Sequence, residues 1–368
     1  MRIAVIEHAK GGDYTEYIFS LLEEKAKQLN YQVKQWSNSV PVSQQRIGEN
    51  AVVFISIDSN SSFFSNWLYQ VKIPSIIKKL KAGIVIDLNG IASSKIKIPQ
   101  LIAASPNLFF DDSKQLNKIE NFALKHFKSS QQIANTILSY SNLKTQSQHL
   151  VTHEKLQHLP FTAPAIFKTF DWHEKILIKS QFADNKEYFI SIIEDEALDD
   201  FVLLLKGFSK FKKWQQSNMV LLILPKYESF SAAIREKHKT YKYKDDVQLL
   251  EDVEEKEIAS LFASAHSLLH VAGGLPQLLV LSIAMQCSLP VISFDNEDVK
   301  EYCADGVLLC TEKTDGALGN SLIELYKDEN LHAQLKEAAN KQSLNLKRNE
   351  YADKLWQLLE TKEKNYDH

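Results

Sequence analysis

The sequence predicts an α/β protein built from two doubly wound domains, each a parallel sheet with helices on its faces. Three observations carry this. Residues 257–292 run helix, strand, helix, strand, the order that places parallel strands under a layer of helices. Residues 1–57 show a similar order from the start, with an apolar strand, a glycine loop, a helix and two further strands. Finally, 368 residues with 44% hydrophobic and 24% charged content suit two globular domains of ordinary size and exclude a disordered chain.

The elements follow in order. Arg2 to Ile6 is a buried strand, Lys10-Gly11-Gly12 a loop, Tyr14 to Leu29 a helix and Tyr31 to Trp36 a strand. Ala51 to Ile57 is the third strand, with the Ser/Asn-rich loop Asp58 to Ser62 after it. Ile76 to Leu80 forms a short basic helix leading into a strand over Gly83 to Leu88, and Leu101 to Ala103 and Leu108 to Phe110 read as further strands. Ser113 to Leu150 is expected to be helical and polar, and Thr162 to Phe170, with Pro164 and no regular period, to be a linker. A second α/β domain starts at Tyr188 and runs to about Asp315. Within it, Glu257 to Ser267 has helical apolar spacing through Ile258, Leu261, Phe262 and Ala265. Leu268 to Val271 is a strand, Gly273-Gly274 a turn, and Pro276 sits where a first helical turn tolerates proline. Leu278 to Cys287 is apolar nearly all round, hence a buried helix, and Pro290 to Phe294 begins the next strand. Helices complete the chain from Asn320 to His368.

Composition narrows the function. A net charge of −3 gives no general attraction to nucleic acid. Arg2, Arg46, Arg235 and Arg348 are the only arginines, few for a protein that would clamp phosphates bidentately. Cys287, Cys303 and Cys310 lack paired metal spacing and read as buried thiols in a reducing cytosol. MRIAVIEHAK reads as a first strand rather than a secretory leader, and no apolar run reaches membrane-spanning length. A cytoplasmic protein is expected. Lys78, Lys79 and Lys81 on the short basic helix offer weak or no contact with an inner membrane surface.

Residues 257–292 resemble the second domain of GT-B glycosyltransferases of the family-4 type, the group 1 glycosyl transferases. That family follows the strand with E-G-F-G-x-P-x-x-E-A-M-x-x-G-x-P-V-I, and Ala284-Met285-Gln286-Cys287 and Pro290-Val291-Ile292 match its end. Tyr188-Phe189, Leu203 to Lys213, Ser217-Asn218-Met219, Thr240 to Val247 and Leu325 to Leu335 also match, as do Ile73 to Ala82 and Ile98-Pro99-Gln100 more weakly. The resemblance implies two Rossmann-like domains facing across a cleft. It divides the chain into an acceptor-side domain at 1–165, a donor-side domain at 166–345 and a C-terminal helix at 346–368 crossing back onto the first. Leu355, Trp356 and Leu359 would form the apolar face of that helix.

The same register removes the family's chemistry. Its two glutamates, which hold the donor sugar and ribose, fall on Leu275 and Ile283, and aliphatic side chains accept no hydrogen bond. Its diphosphate-neutralising cations are replaced by Glu194-Asp195-Glu196-Ala197-Leu198-Asp199-Asp200. These acids are either a solvated face or a metal-holding loop. The family histidine falls on Ser105 and the following aspartate on Pro106, and a lone serine is a poor base. His8, at the end of the first strand, is a candidate substitute, although a lone histidine at a strand end is more often structural.

Candidate ligand-binding positions are therefore Lys10, Gly11 and Gly12 in the first loop, Ser105, Glu194, His270, and Gly273-Gly274 before a helix start. Backbone amides at either glycine loop suit an anion, although each is also an ordinary strand-to-helix turn. No catalytic residue, metal site or resident cofactor is expected. Two readings follow. One is a degenerate, non-catalytic homologue that binds a glycan or an active glycosyltransferase partner in polysaccharide synthesis. The other is an active retaining transferase, taking a nucleotide sugar as co-substrate at a rebuilt donor site.

Overall fold

The structure, a computed structural model, describes residues 1–8, 13–36, 47–57, 62–104, 118–140, 153–214, 217–226, 229–272 and 277–365. The chain divides into two compact units, Met1–Phe161 with Arg348–His368, and Thr162–Lys347.

Unit 1 contains β1 (Arg2–His8), α1 (Asp13–Gln28), β2 (Gln32–Trp36) and β3 (Ala51–Ile57). It continues through α2 (Ser62–Trp67), a π-helical turn at Leu68–Lys72, α3 (Ile73–Leu80), β4 (Ile84–Asp87), β5 (Gln100–Ala103), α4 (Lys118–Ile133), β6 (Thr136–Ser139) and β7 (Leu156–His158). The sheet order is β2-β3-β1-β4-β5-β6-β7, with every neighbouring pair parallel. Strands buried on both faces must be apolar throughout, and β1, β3 and β4 supply Ile3 to Ile6, Ala51 to Ile55 and Ile84 to Ile86 to that core.

Two expectations fail in unit 1. Ser113 to Leu150 is not helical throughout: α4 ends at Ile133, and Thr136 to Ser139 is a fully buried strand between β5 and β7. Four residues are too few to display a period, so the polar surroundings hid it. The basic helix begins at Ile73 rather than Ile76, extending the preceding helical turns. The predicted strand at Leu108 to Phe110 lies outside the described residues.

Unit 2 contains α5 (Trp172–Phe182), β8 (Tyr188–Ile193), α6 (Leu198–Trp214), β9 (Val220–Pro225), α7 (Ala232–Lys239), β10 (Val247–Leu249) and α8 (Glu255–Ser264). Then come β11 (Ser267–His270), α9 (Leu278–Gln286), β12 (Val291–Phe294), α10 (Glu297–Cys303), β13 (Val307–Cys310), α11 (Asp315–Lys327) and α12 (Glu329–Ser343). The order β10-β9-β8-β11-β12-β13, all parallel, is the dinucleotide-fold order 3-2-1-4-5-6. Phe189, Phe208 and Phe211 pack between sheet and α6 with the Phe208–Phe211 rings stacked at 6.0 Å. α9 is buried nearly all round, as its composition requires.

Thr162 to Phe170 is a packed part of unit 2 rather than a free linker. Ala163 N donates to Ser282 Oγ at 2.9 Å, and Phe167 meets Phe262 edge-on. The helix α5 that follows was not expected, because it buries none of its side chains and so carries no apolar stripe. Its visible signal was the capping box, in which Asp171 and Glu174 each accept from the other's backbone N–H.

The α6–α11 crossing depends on glycine at both helices. A Cβ at Gly319 would lie 2.7 Å from the Lys210 side chain and 3.0 Å from the Gly207 carbonyl. Gly319→Ala is expected to destabilise unit 2 by about 2 kcal/mol through overpacking. An unchanged urea midpoint would mean that the crossing relaxes at no cost.

The last helix, α13 (Arg348–Lys364), belongs to unit 1. It packs on α1 with Leu355, Trp356 and Leu359 buried.

Candidate functional site

In an open parallel sheet ligands collect at the carboxyl ends of the strands, where loops and helix N-termini converge. In unit 2, β8 ends at Ile193, and the turn Glu194 to Ala197 closes with Ala197 N donating to Glu194 O at 3.0 Å. This delivers the chain into α6, whose first turn carries Asp199 and Asp200. Carboxylates are favoured there by the helix dipole. Their negative charge opposes a phosphate at the same helix end.

Asp200 is paired with Lys313, on the β13–α11 loop, at 3.5 Å. Burial pushes the Asp200 carboxyl above its ordinary range, Lys313 pulls it back, and Glu194 and Asp199 raise it further. The acids of this edge therefore repel one another, and one lysine partly offsets them.

His270 ends β11, directly opposite Ser293 in the β11–β12 register. Its Nδ1 lies 2.9 Å from Ser293 Oγ, and its Nε2 is buried with no hydrogen-bond partner among the described residues. Burial, and then the positive charge of Lys313, lower its pKa to about 4, so the ring is neutral. A general base works best with a pKa near the operating pH, and His270 lies well below it. Around His270, the ends of β11, β12 and β13 enclose a pocket of about 330 Å³ lined by Ser293, Asp295, Asn296, Glu312 and Lys313 among others.

Of the positions predicted from sequence, Glu194 and His270 stand at the carboxyl ends of the adjacent strands β8 and β11. His270 is buried and tied to Ser293 rather than being a free polar group. Lys10, Gly11, Gly12, Ser105, Gly273 and Gly274 lie outside the described residues, as does Leu275; His8 ends β1. Ile283, where the resemblance puts the family's second glutamate, is buried within α9. Sequence reasoning missed Lys313, Ser293 and Asp295. Their only local signal was position just after, or at the end of, an apolar strand. Among the described residues no three His, Cys, Asp or Glu side chains are grouped to hold a metal, and no helix is long and apolar enough to cross a membrane. The three cysteines are buried and unpaired, and burial pushes the Cys287 thiol up to about 12.

Residues 173–342 match the family model described as "Glycosyl transferases group 1". No curated protein matches the sequence. Among solved structures, the chain is similar to WaaG, a glycosyltransferase involved in lipopolysaccharide biosynthesis, at 13% identity and TM-score 0.68, over 96% of this chain and 98% of that one. It is similar to a glycosyltransferase from Rickettsia africae ESF-5 at 13% identity and TM-score 0.72, over 99% of both chains. Anabaena HepE, solved with UDP and glucose, gives 12% identity and TM-score 0.70 over 98% of this chain and 100% of that one. Such identities speak for the fold alone. Two all-parallel sheets in this order give the chain the fold of these glycosyltransferases, and its second unit is similar to the group 1 glycosyl transferases.

Proposed function

We propose that the chain is a degenerate, non-catalytic member of this family that acts as a binding or partner protein in glycan synthesis. The observation that carries the reading is the acidic first turn of α6. A sugar-nucleotide donor leaves as a diphosphate, and its transition state needs cationic or N–H donors where charge accumulates. A diphosphate brought to this edge would instead meet Asp199, Asp200 and Glu194. Ile283 adds to the argument, since a buried aliphatic side chain cannot hold a ribose hydroxyl. Losing several such groups together removes the differential binding on which catalysis depends. The role needs no resident cofactor, and its buried free thiols suit the cytoplasm.

One observation favours the alternative of an active retaining transferase. Lys313 brings a cation to the same edge and would serve a phosphate if it left Asp200. HepE, of the same fold, was solved with UDP and glucose.

A thermal-shift titration against UDP, GDP, UDP-glucose and GDP-mannose, with and without magnesium, separates the two. The expected result is no saturable shift. A ligand held at one hundred times its Kd stabilises by about 2.7 kcal/mol. A shift of that size with any nucleotide would overturn the empty donor site on which this reading rests, and transferase assays would then decide activity.

A further inference from the structure

We infer that the outward half of α5 is the contact face of a homodimer, in which α5 of one chain packs across α5 of a second copy about a twofold axis. This goes beyond the function proposed above and does not depend on it.

α5 is inverted for a surface helix. Such a helix turns its apolar stripe inward and its charges to water. Here Trp172, Ile176 and Leu177 are 69%, 39% and 69% exposed, and His173, Ser180 and Gln181 stand in the open beside them. At the helical period these six fill one continuous half of the helix, and none has a formal charge at pH 7. The charged residues of α5, Glu174, Lys175 and Lys179, lie on the other half and are partly buried. Glu174 closes the capping box with Asp171, and Lys179 pairs with Glu187. Burial, and then Lys336 and Lys179, hold the Lys175 ammonium below its ordinary pKa. An arrangement with lysines inward and tryptophan outward suits a face that is covered.

The absence of charge selects the occupant. About a twofold axis a patch meets the same patch of its copy, so any charge there would meet its like. A neutral face meets itself without that repulsion, whereas a different protein is ordinarily recognised through complementary charge. Shape agrees. Trp172, Ile176 and Ser180 form one i, i+4 row and His173, Leu177 and Gln181 the next. A row of one copy can lie in the groove between the rows of the other, at a crossing of about 50°. Leu177 is the midpoint of the eleven-residue helix, which puts it at the crossing, opposite its own copy. A large aromatic side chain presents roughly 200 Å², so the three apolar residues leave about 350 Å² uncovered per chain and about 700 Å² per pair. With their three polar neighbours the contact passes roughly 1,000 Å², the lower bound for a specific interface.

Sedimentation velocity of the full chain between about 1 and 100 μM tests this, a range that brackets contacts of such modest area. The expected result is a dimer that dissociates on dilution. Leu177→Glu and Leu177→Lys should each weaken it at least about tenfold, because like charges then meet at the crossing. An equimolar mixture of the two variants should restore it. Leu124→Glu, at an exposed leucine of α4, should leave it unchanged. The proposal is overturned by a monomer throughout the range, by a dimer indifferent to Leu177→Glu or equally weakened by Leu124→Glu, or by a mixture no more dimeric than either variant alone. Binding of a monomeric chain to phosphatidylglycerol vesicles, lost in Leu177→Glu, would overturn it too and give the face to a membrane.

Discussion

Asp87→Asn should abolish a fall in stability of up to about 4 kcal/mol that is expected of the natural protein between pH 4 and pH 7. Asp87 ends β4 and is fully buried. Burial drives its pKa from 3.8 to about 7, against hydrogen bonds that favour the ionised form. Oδ1 accepts from Asn89 N at 2.9 Å and Ile91 N at 3.0 Å, and Oδ2 lies 2.9 Å from the Tyr69 hydroxyl, accepting from it when ionised and donating to it when protonated. The sign follows from proton counting. Between pH 4 and 7 the folded protein keeps a proton that the unfolded chain has released, so unfolding releases one and stability drops as pH rises. The loss is about three units at 1.36 kcal/mol each, and it is complete above pH 7. Asparagine keeps both backbone bonds and presents its NH₂ to Tyr69, mimicking the protonated acid at every pH. Denaturation of both proteins across that range, followed by hydrogen exchange of the β1 and β4 amides, gives the comparison. Parallel pH profiles would show that Asp87 is not held protonated.

Arg348→Met is expected to cost unit 1 about 3 kcal/mol, by removing charge-assisted bonds from a site where the guanidinium is almost wholly buried. Arg348 Nε and Nη2 donate to the two oxygens of Glu24 at 2.9 and 2.8 Å, and Nη2 also donates to Ser20 Oγ at 2.7 Å. Its guanidinium lies over the Tyr17 ring, 5.5 Å from the centroid. This fork fastens the first turn of α13 to α1. Arg348→Lys should recover less than half of the loss, since an ammonium cannot bridge both carboxylate oxygens in parallel. Exchange of the α13 amides reports the release directly. If α13 stayed protected in Arg348→Met, its burial of Leu355, Trp356 and Leu359 would be sufficient by itself.

Strands buried on both faces were the most legible elements. Ala51 to Ile57 was expected and found with the same bounds, because an unbroken apolar run of that length between polar stretches has few other folds. α9 was legible for the same reason, being apolar all round. β6 was not, because Thr136 to Ser139 is four residues in polar surroundings, buried only by its two neighbours. α5 escaped in the opposite way. Trp172 and Leu177 remain 69% exposed, so the helix presents no inward face for a pattern to reveal.

The candidate site was legible in part. The acid run and His270 could be singled out because each is a chemical type out of place beside an apolar strand. Lys313 and Ser293 could not, since a lysine in a loop and a serine in a strand are ordinary.

The sequence by itself determined the α/β class, the long apolar strands such as Ala51 to Ile57, and an aliphatic side chain at Ile283. Those properties are local, depending on residue type and spacing along a few turns. Only the tertiary structure decided that Asp200 meets Lys313 and that His270 meets Ser293. Those meetings depend on strand order, with β11 beside β8 and β12 beside β11. Strand order arises from the packing of the whole sheet, where each pairing gains its free energy from burial that no single segment can achieve alone.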